Sequence, residues 1–136
     1  MGLPIQGLWR CMGVIVARGR LQRVQQPSLL DSGDVQLIDV REPDELIEYG
    51  KIPKSLNIPL SRLTKSLSMN ESNFIEQFGK EMPMKWNINL IFHSMGPIRS
   101  KAAMKLAHKL GFLKARHYPG GWEEWSEKQG LPLKKE

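Results

Sequence analysis

One stretch constrains the fold more than any other: Asn89-Leu-Ile-Phe-His-Ser-Met-Gly-Pro-Ile-Arg-Ser-Lys-Ala-Ala103. An apolar run, Leu90 to Phe92, reads as a strand, His93 to Ile98 as a short loop, and a helix is expected to begin near Arg99. A strand that feeds a helix through a tight loop aims several backbone N–H groups and the helix dipole at one point. Such a point favours an anion or an ionised nucleophile. Ser94 stands there.

The remaining elements follow from spacing. Asp31-Ser32-Gly33-Asp34 reads as a turn. Val35 to Val40 reads as a strand, apolar enough for burial on both faces, as in a parallel sheet. Glu42 to Glu45 starts a short helix with proline and acids in its first turn, ending near Tyr49 and Gly50. A proline-flanked loop holds a short strand over Leu56 to Ile58. Leu60, Leu63 and Leu67 mark one face of a helix. Phe74, Ile75 and Phe78 mark one side of the next, with Ser68 or Asn70 as its N-cap. After the loop, Ala102, Ala103, Leu106, Ala107 and Leu110 form an apolar stripe, opposed by Lys101, Lys105 and Lys109 as a solvated face. Gly111 fits a C-cap, Ala115 to Tyr118 the last strand, and Trp122 to Trp125 the start of a closing helix whose tryptophans cover the core. This alternation predicts an α/β domain with a central parallel sheet, in which sites form where strand C-termini meet helix N-termini.

Composition matters chiefly for what it excludes. A chain of 136 residues suits one domain with its own core. The single Cys11 excludes an intramolecular disulfide or a cysteine metal cluster. His93, His108 and His117 have no ligand spacing, so neither a metal nor a cofactor is expected. The net charge of +6 is uneven. Residues 1–30 hold four of the 20 basic residues and no acid, leaving 16 against all 14 acids elsewhere. That balance argues against a general nucleic-acid face. Residues 1–26, apolar and arginine-bearing with no run long enough for a membrane span, read as a mitochondrial targeting segment or as a tail whose Val14 to Val16 adds an edge strand. The expected compartment is mitochondrial or cytoplasmic.

Four ordered segments carry a resemblance to the rhodanese family of sulfurtransferases. Leu37-Ile-Asp-Val-Arg-Glu42 resembles the family's second-strand signature. Lys51-Ile-Pro-Lys-Ser-Leu-Asn-Ile-Pro59 resembles its His-Ile-Pro-Gly-Ala-x-Asn-Ile-Pro segment, with Lys51 for the usual histidine. Leu90 to Ala103 resembles its active-site strand, loop and helix, and His117-Tyr-Pro-Gly-Gly-Trp-x-x-Trp125 its closing motif. The set is most similar to the animal single-domain thiosulfate sulfurtransferase-like proteins. The resemblance implies a three-layer fold with helices on both faces of the sheet. It implies a rhodanese-like domain over 28–128, a basic segment over 1–26 before it, and a loose tail over 129–136 after it.

In the family the loop reads Cys-x-x-Gly-x-Arg. Its cysteine thiolate takes a sulfane sulfur from a donor such as thiosulfate and passes it to cyanide, glutathione or another thiol. Aligned without gaps, the cysteine position is Ser94, the glycine position Pro97 and the arginine position Arg99. A serine hydroxyl does not ionise near neutral pH, and oxygen cannot replace sulfur in a stable persulfide. Pro97 removes one N–H from the loop and fixes φ where the family has a free glycine.

The resemblance therefore implies a domain without sulfur-transfer activity, acting as a binding or regulatory module. The alternative is an active sulfurtransferase moving sulfane sulfur from thiosulfate to a thiol acceptor such as glutathione, either through Cys11 or as an active sequence that appears here with altered residues. A serine hydrolase would need a base, and His93, adjacent on the strand, points to the opposite face. Met95, Gly96, Ile98, Arg99 and Ser100 remain as a loop for a small sulfur oxyanion, with Arg99 either meeting the anion or bracing the loop through carbonyls. By resemblance, Asp39 and Arg41 form the loop wall. The expected partners are such an oxyanion, a thiol or a protein, and the expected state is a monomer.

Overall fold

The structure, a computed structural model, describes residues 35–135. The expectations for residues 1–26, including the targeting segment, the edge strand at Val14 to Val16 and the role of Cys11, lie outside the described residues, as does the turn at Asp31 to Asp34. Among the described residues the order is β1 (Gln36–Asp39), α1 (Pro43–Tyr49), β2 (Leu56–Asn57), α2 (Leu60–Leu67), α3 (Glu71–Phe78), β3 (Leu90–His93), α4 (Pro97–Lys109), β4 (Arg116–His117) and α5 (Gly121–Gln129). The strands form one parallel sheet in the order β2-β1-β3-β4. β1 and β3 lie in register, Leu37 beside Ile91 and Asp39 beside His93.

Alternation along these strands divides the core in two. Ile38, Val40, Leu90 and Phe92 face one side and pack with Leu63 and Leu67 of α2, Phe74 of α3, and Ala103 and Ala107 of α4. Leu37 and Ile91 face the other side and pack with Trp122 and Trp125 of α5, Ile52 and Tyr118, with Tyr49 of α1 against them. The result is the expected three layers. Both central strands are covered on both faces, which explains the adjacent apolar residues Leu37-Ile38 and Leu90-Ile91-Phe92 at their centres. Burying each large apolar side chain contributes about 1.5–3 kcal/mol.

The capping chemistry accounts for the helix limits. The Asn70 side chain accepts from Asn73 N–H at 2.8 Å, and Gly79 ends α3 at φ +70°. Two expectations are corrected. Ile75 is half exposed, so the buried face of α3 is Phe74 and, partly, Phe78, one turn apart. The segment after Gln129 is tied down and not loose. Trp122 Nε1 donates to Leu133 O at 2.8 Å, Lys135 N–H to Glu48 O at 3.0 Å, and Lys134 pairs with Glu48 at 3.0 Å. Among the described residues no helix is long and apolar enough to cross a membrane.

Candidate functional site

The loop after β3 is shorter than expected. β3 runs to His93 and α4 starts at Pro97, leaving Ser94, Met95 and Gly96 as the connection. The expected start near Arg99 is corrected by the proline itself. At the first helical position its missing N–H has no intrahelical partner to lose, and its fixed φ suits the helix. The loop is clamped from the far side by α5, whose Trp122 and Glu123 N–H groups donate to Ser94 O at 2.9 Å and Met95 O at 3.1 Å. The close approach requires Gly121, at φ +56°, because a methyl group there would lie 2.3 Å from Ser94 O.

Inside the loop Ser94 is 1% exposed. Its hydroxyl accepts from Ser100 N–H at 3.1 Å and donates to Gly96 O at 2.7 Å. The acceptor belongs to the peptide between Gly96 and Pro97, which has no N–H. Ser100 Oγ lies 2.9 Å from His117 Nδ1. Burial, followed by the charge of Lys101, holds the His117 pKa below its usual value. Its ring therefore favours the neutral form near pH 7.

The other expected site residues have unexpected partners. Asp39 and Arg41, expected as loop wall, are both fully buried and pair with each other at 2.7 Å. Arg41 Nη2 also donates to Gly50 O at 2.8 Å, and the guanidinium lies 5.6 Å from the centre of a Trp122 ring. His93 is buried beside them, Nε2 3.8 Å from Asp39, with neither ring nitrogen hydrogen bonded among the described residues. Burial, opposed by the Asp39 charge, lowers its pKa to about 4. A neutral imidazole against Asp39 is not placed to serve Ser94 as a base.

Arg99 braces the loop, but through a carboxylate and not through carbonyls. Its two terminal nitrogens grip Glu45 of α1 at 2.6 and 2.8 Å. The Arg99 hydrogen bond is the main cause of the lowered Glu45 pKa, and the Glu45 hydrogen bond of the raised Arg99 pKa. A second carboxylate, Glu123, sits so close to Gly96 that a methyl group there would lie 3.3 Å from Glu123 Oε1. Ile98 is exposed, Met95 is half-buried, and Ser100 is buried. Hydrogen bonds thus join Ser94 to Gly96 and Ser100, while Arg99 is turned to Glu45, and Asp39 and Arg41 do not reach solvent.

Sequence reasoning missed Glu45, Glu123, His117 and Gly121 as neighbours of the loop. All four come from other elements, and only the closing motif from His117 to Trp125, which holds His117, Gly121 and Glu123, carried a signal. No group of three or more His, Cys, Asp or Glu is arranged to hold a metal ion among the described residues. Chemically, the arrangement holds a hydroxyl between backbone groups. It offers an anion the first-turn N–H groups of α4 and an arginine already engaged by a carboxylate.

Comparison with known proteins agrees with this architecture. The sequence model of the rhodanese-like domain matches residues 25–128. The chain is 42% identical over 123 residues to the mouse thiosulfate sulfurtransferase/rhodanese-like domain-containing protein 3, covering 89% of this chain and 77% of that protein. It is 39% identical over 102 residues to the human thiosulfate:glutathione sulfurtransferase, covering 75% of this chain and 88% of that protein. Among solved structures, the human single-domain sulfurtransferase TSTD1 superimposes with a TM-score of 0.69 at 38% identity, over 76% of this chain and 91% of that one.

Proposed function

Since the chain belongs to the rhodanese-like domain family, we propose that it is a member without sulfur-transfer activity of its own, serving as a binding or regulatory module. One observation carries the reading: the Ser94 hydroxyl donates its proton to Gly96 O at 2.7 Å. The family's reaction, as the resemblance implies it, needs an ionised thiol at this position, surrounded by donors. A thiolate has no proton to give, and a carbonyl oxygen facing it raises its energy. In a trans peptide the C=O and N–H point opposite ways, so rotating the plane would normally exchange an acceptor for a donor. Across the Gly96–Pro97 bond there is no N–H to bring in. Ser94 and Pro97 therefore suit each other, and neither suits a thiolate.

The charges nearby support the same reading. Arg99 is held by Glu45, and the Glu123 carboxylate lies beside Gly96. An incoming thiosulfate would compete with the first and be repelled by the second. A covalent serine mechanism has no support either, because both Ser94 hydroxyl bonds go to backbone atoms.

The names of the mouse and human relatives favour a second reading, an active sulfurtransferase moving sulfane sulfur from thiosulfate to a thiol acceptor. With serine at position 94, that activity would have to run through Cys11. Purified protein assayed with thiosulfate and either cyanide or glutathione separates the two. We expect no turnover above a heat-killed control. Turnover abolished by Cys11→Ala, with a persulfide adduct one sulfur atom heavier, establishes the second reading; turnover that survives Cys11→Ala contradicts the account based on position 94.

A further inference from the structure

Beside the loop, a cleft of about 350 Å³ opens between the start of α1, the end of β2, the start of α2 and the end of α3. It shares no lining residue with the Ser94 loop. Three features make it a built site. Ser66 lines the cleft in a residue only 2% exposed, and its hydroxyl has no hydrogen-bond partner among the described residues. The hydroxyl is not among the fully enclosed polar atoms, so it faces the cleft and is open to a polar ligand there.

The walls also carry opposite charges. Arg62 and Ser61, exposed in the first turn of α2, lie at a helix start that no side chain caps. This end suits a carboxylate. Glu42 lines the cleft from the start of α1 and makes no ion pair among the described residues. Asn57 stands in the same lining with its amide N–H groups spent on Asp39 O at 3.0 Å and Arg41 O at 2.9 Å. Its amide oxygen is thereby left as the unspent group. Glu42 and this oxygen suit an ammonium. The floor, which includes Ile58, is apolar.

We propose that this cleft binds a short peptide carrying both free termini, its carboxylate at Arg62, Ser61 and Ser66 and its ammonium at Glu42 and the Asn57 oxygen. The volume fits that class. At about 30 Å³ for each water-sized group, the cleft holds about a dozen heavy atoms, close to the size of a tripeptide backbone. The inference is independent of whether the Ser94 loop is active.

Triglycine is the probe, titrated into isotope-labelled full-length protein and followed by amide chemical shifts. The expected result is saturable shifts centred on Ser61, Ser66 and Gln77, with weaker binding of N-acetyl-triglycine and of triglycine amide by about tenfold each. Arg62→Gln should weaken triglycine and remove its advantage over the amide. Glu42→Gln should remove its advantage over the acetylated form. Both side chains are exposed, so each variant should keep the wild-type spectrum elsewhere. No saturable shift, equal binding of all three peptides, or binding indifferent to both substitutions would overturn the proposal.

Discussion

His93 shows how much a single side chain can reveal about the interior. It is fully buried beside Asp39, and burial lowers its pKa from 6.5 to about 4. Between those values the unfolded chain binds a proton that the folded protein refuses. This contribution to stability is therefore complete above about pH 6.5 and is lost progressively as the pH falls toward about 4. Between about pH 7 and about pH 5 the loss should be on the order of 2 kcal/mol. Urea unfolding at the two pH values measures it, and His93→Phe should flatten most of the difference. The Glu45 pair with Arg99 acts in the same direction, but only below the ordinary carboxylate pKa of 4.5, so the windows separate. From the sequence, His93 was legible as a residue facing away from Ser94, because alternation along a strand is a local rule. Its neighbour Asp39 and the grip of Glu45 on Arg99 were not. Those pairings join β1 to β3 and α1 to α4, and no local spacing encodes them.

At the scale of elements, the loop depends on α5 as much as on its own residues. Gly121 is the hinge of that contact, since its positive φ and the 2.3 Å approach of Ser94 O leave no room for a side chain. Gly121→Ala should destabilise the protein by roughly 2 kcal/mol or more, the left-handed backbone and the clash acting together. A lowered urea midpoint with an unchanged slope is the expected readout; a change within about 0.5 kcal/mol would show that the clamp is dispensable. Helix periodicity located α2 to the residue, because Leu60, Leu63 and Leu67 meet the core at regular intervals. The start of α4 was harder to read. Pro97 looked like a loop residue that impairs an anion cradle, whereas it opens the helix and removes a donor at the same time.

For the molecule as a whole, the three-layer plan was legible because strands covered on both faces are mostly apolar at their centres, and because each is followed by a helical stretch. Closure of the chain end was not. Leu131 to Lys135 show no helix or strand periodicity, yet the Trp122–Leu133 and Lys135–Glu48 hydrogen bonds hold that segment across α5 and α1. The functional proposal also belongs at this scale, because it sets a loop proposed to favour a hydroxyl over a thiolate within a rhodanese-like scaffold. The most direct test is the thiol pKa of Ser94→Cys, made in a Cys11→Ala background and read from the pH dependence of alkylation. The prediction is a pKa at or above the ordinary value of about 8.5, falling by at least about one unit when Pro97→Gly is added. A pKa well below 7 in Ser94→Cys alone, with thiosulfate turnover to match, would contradict it.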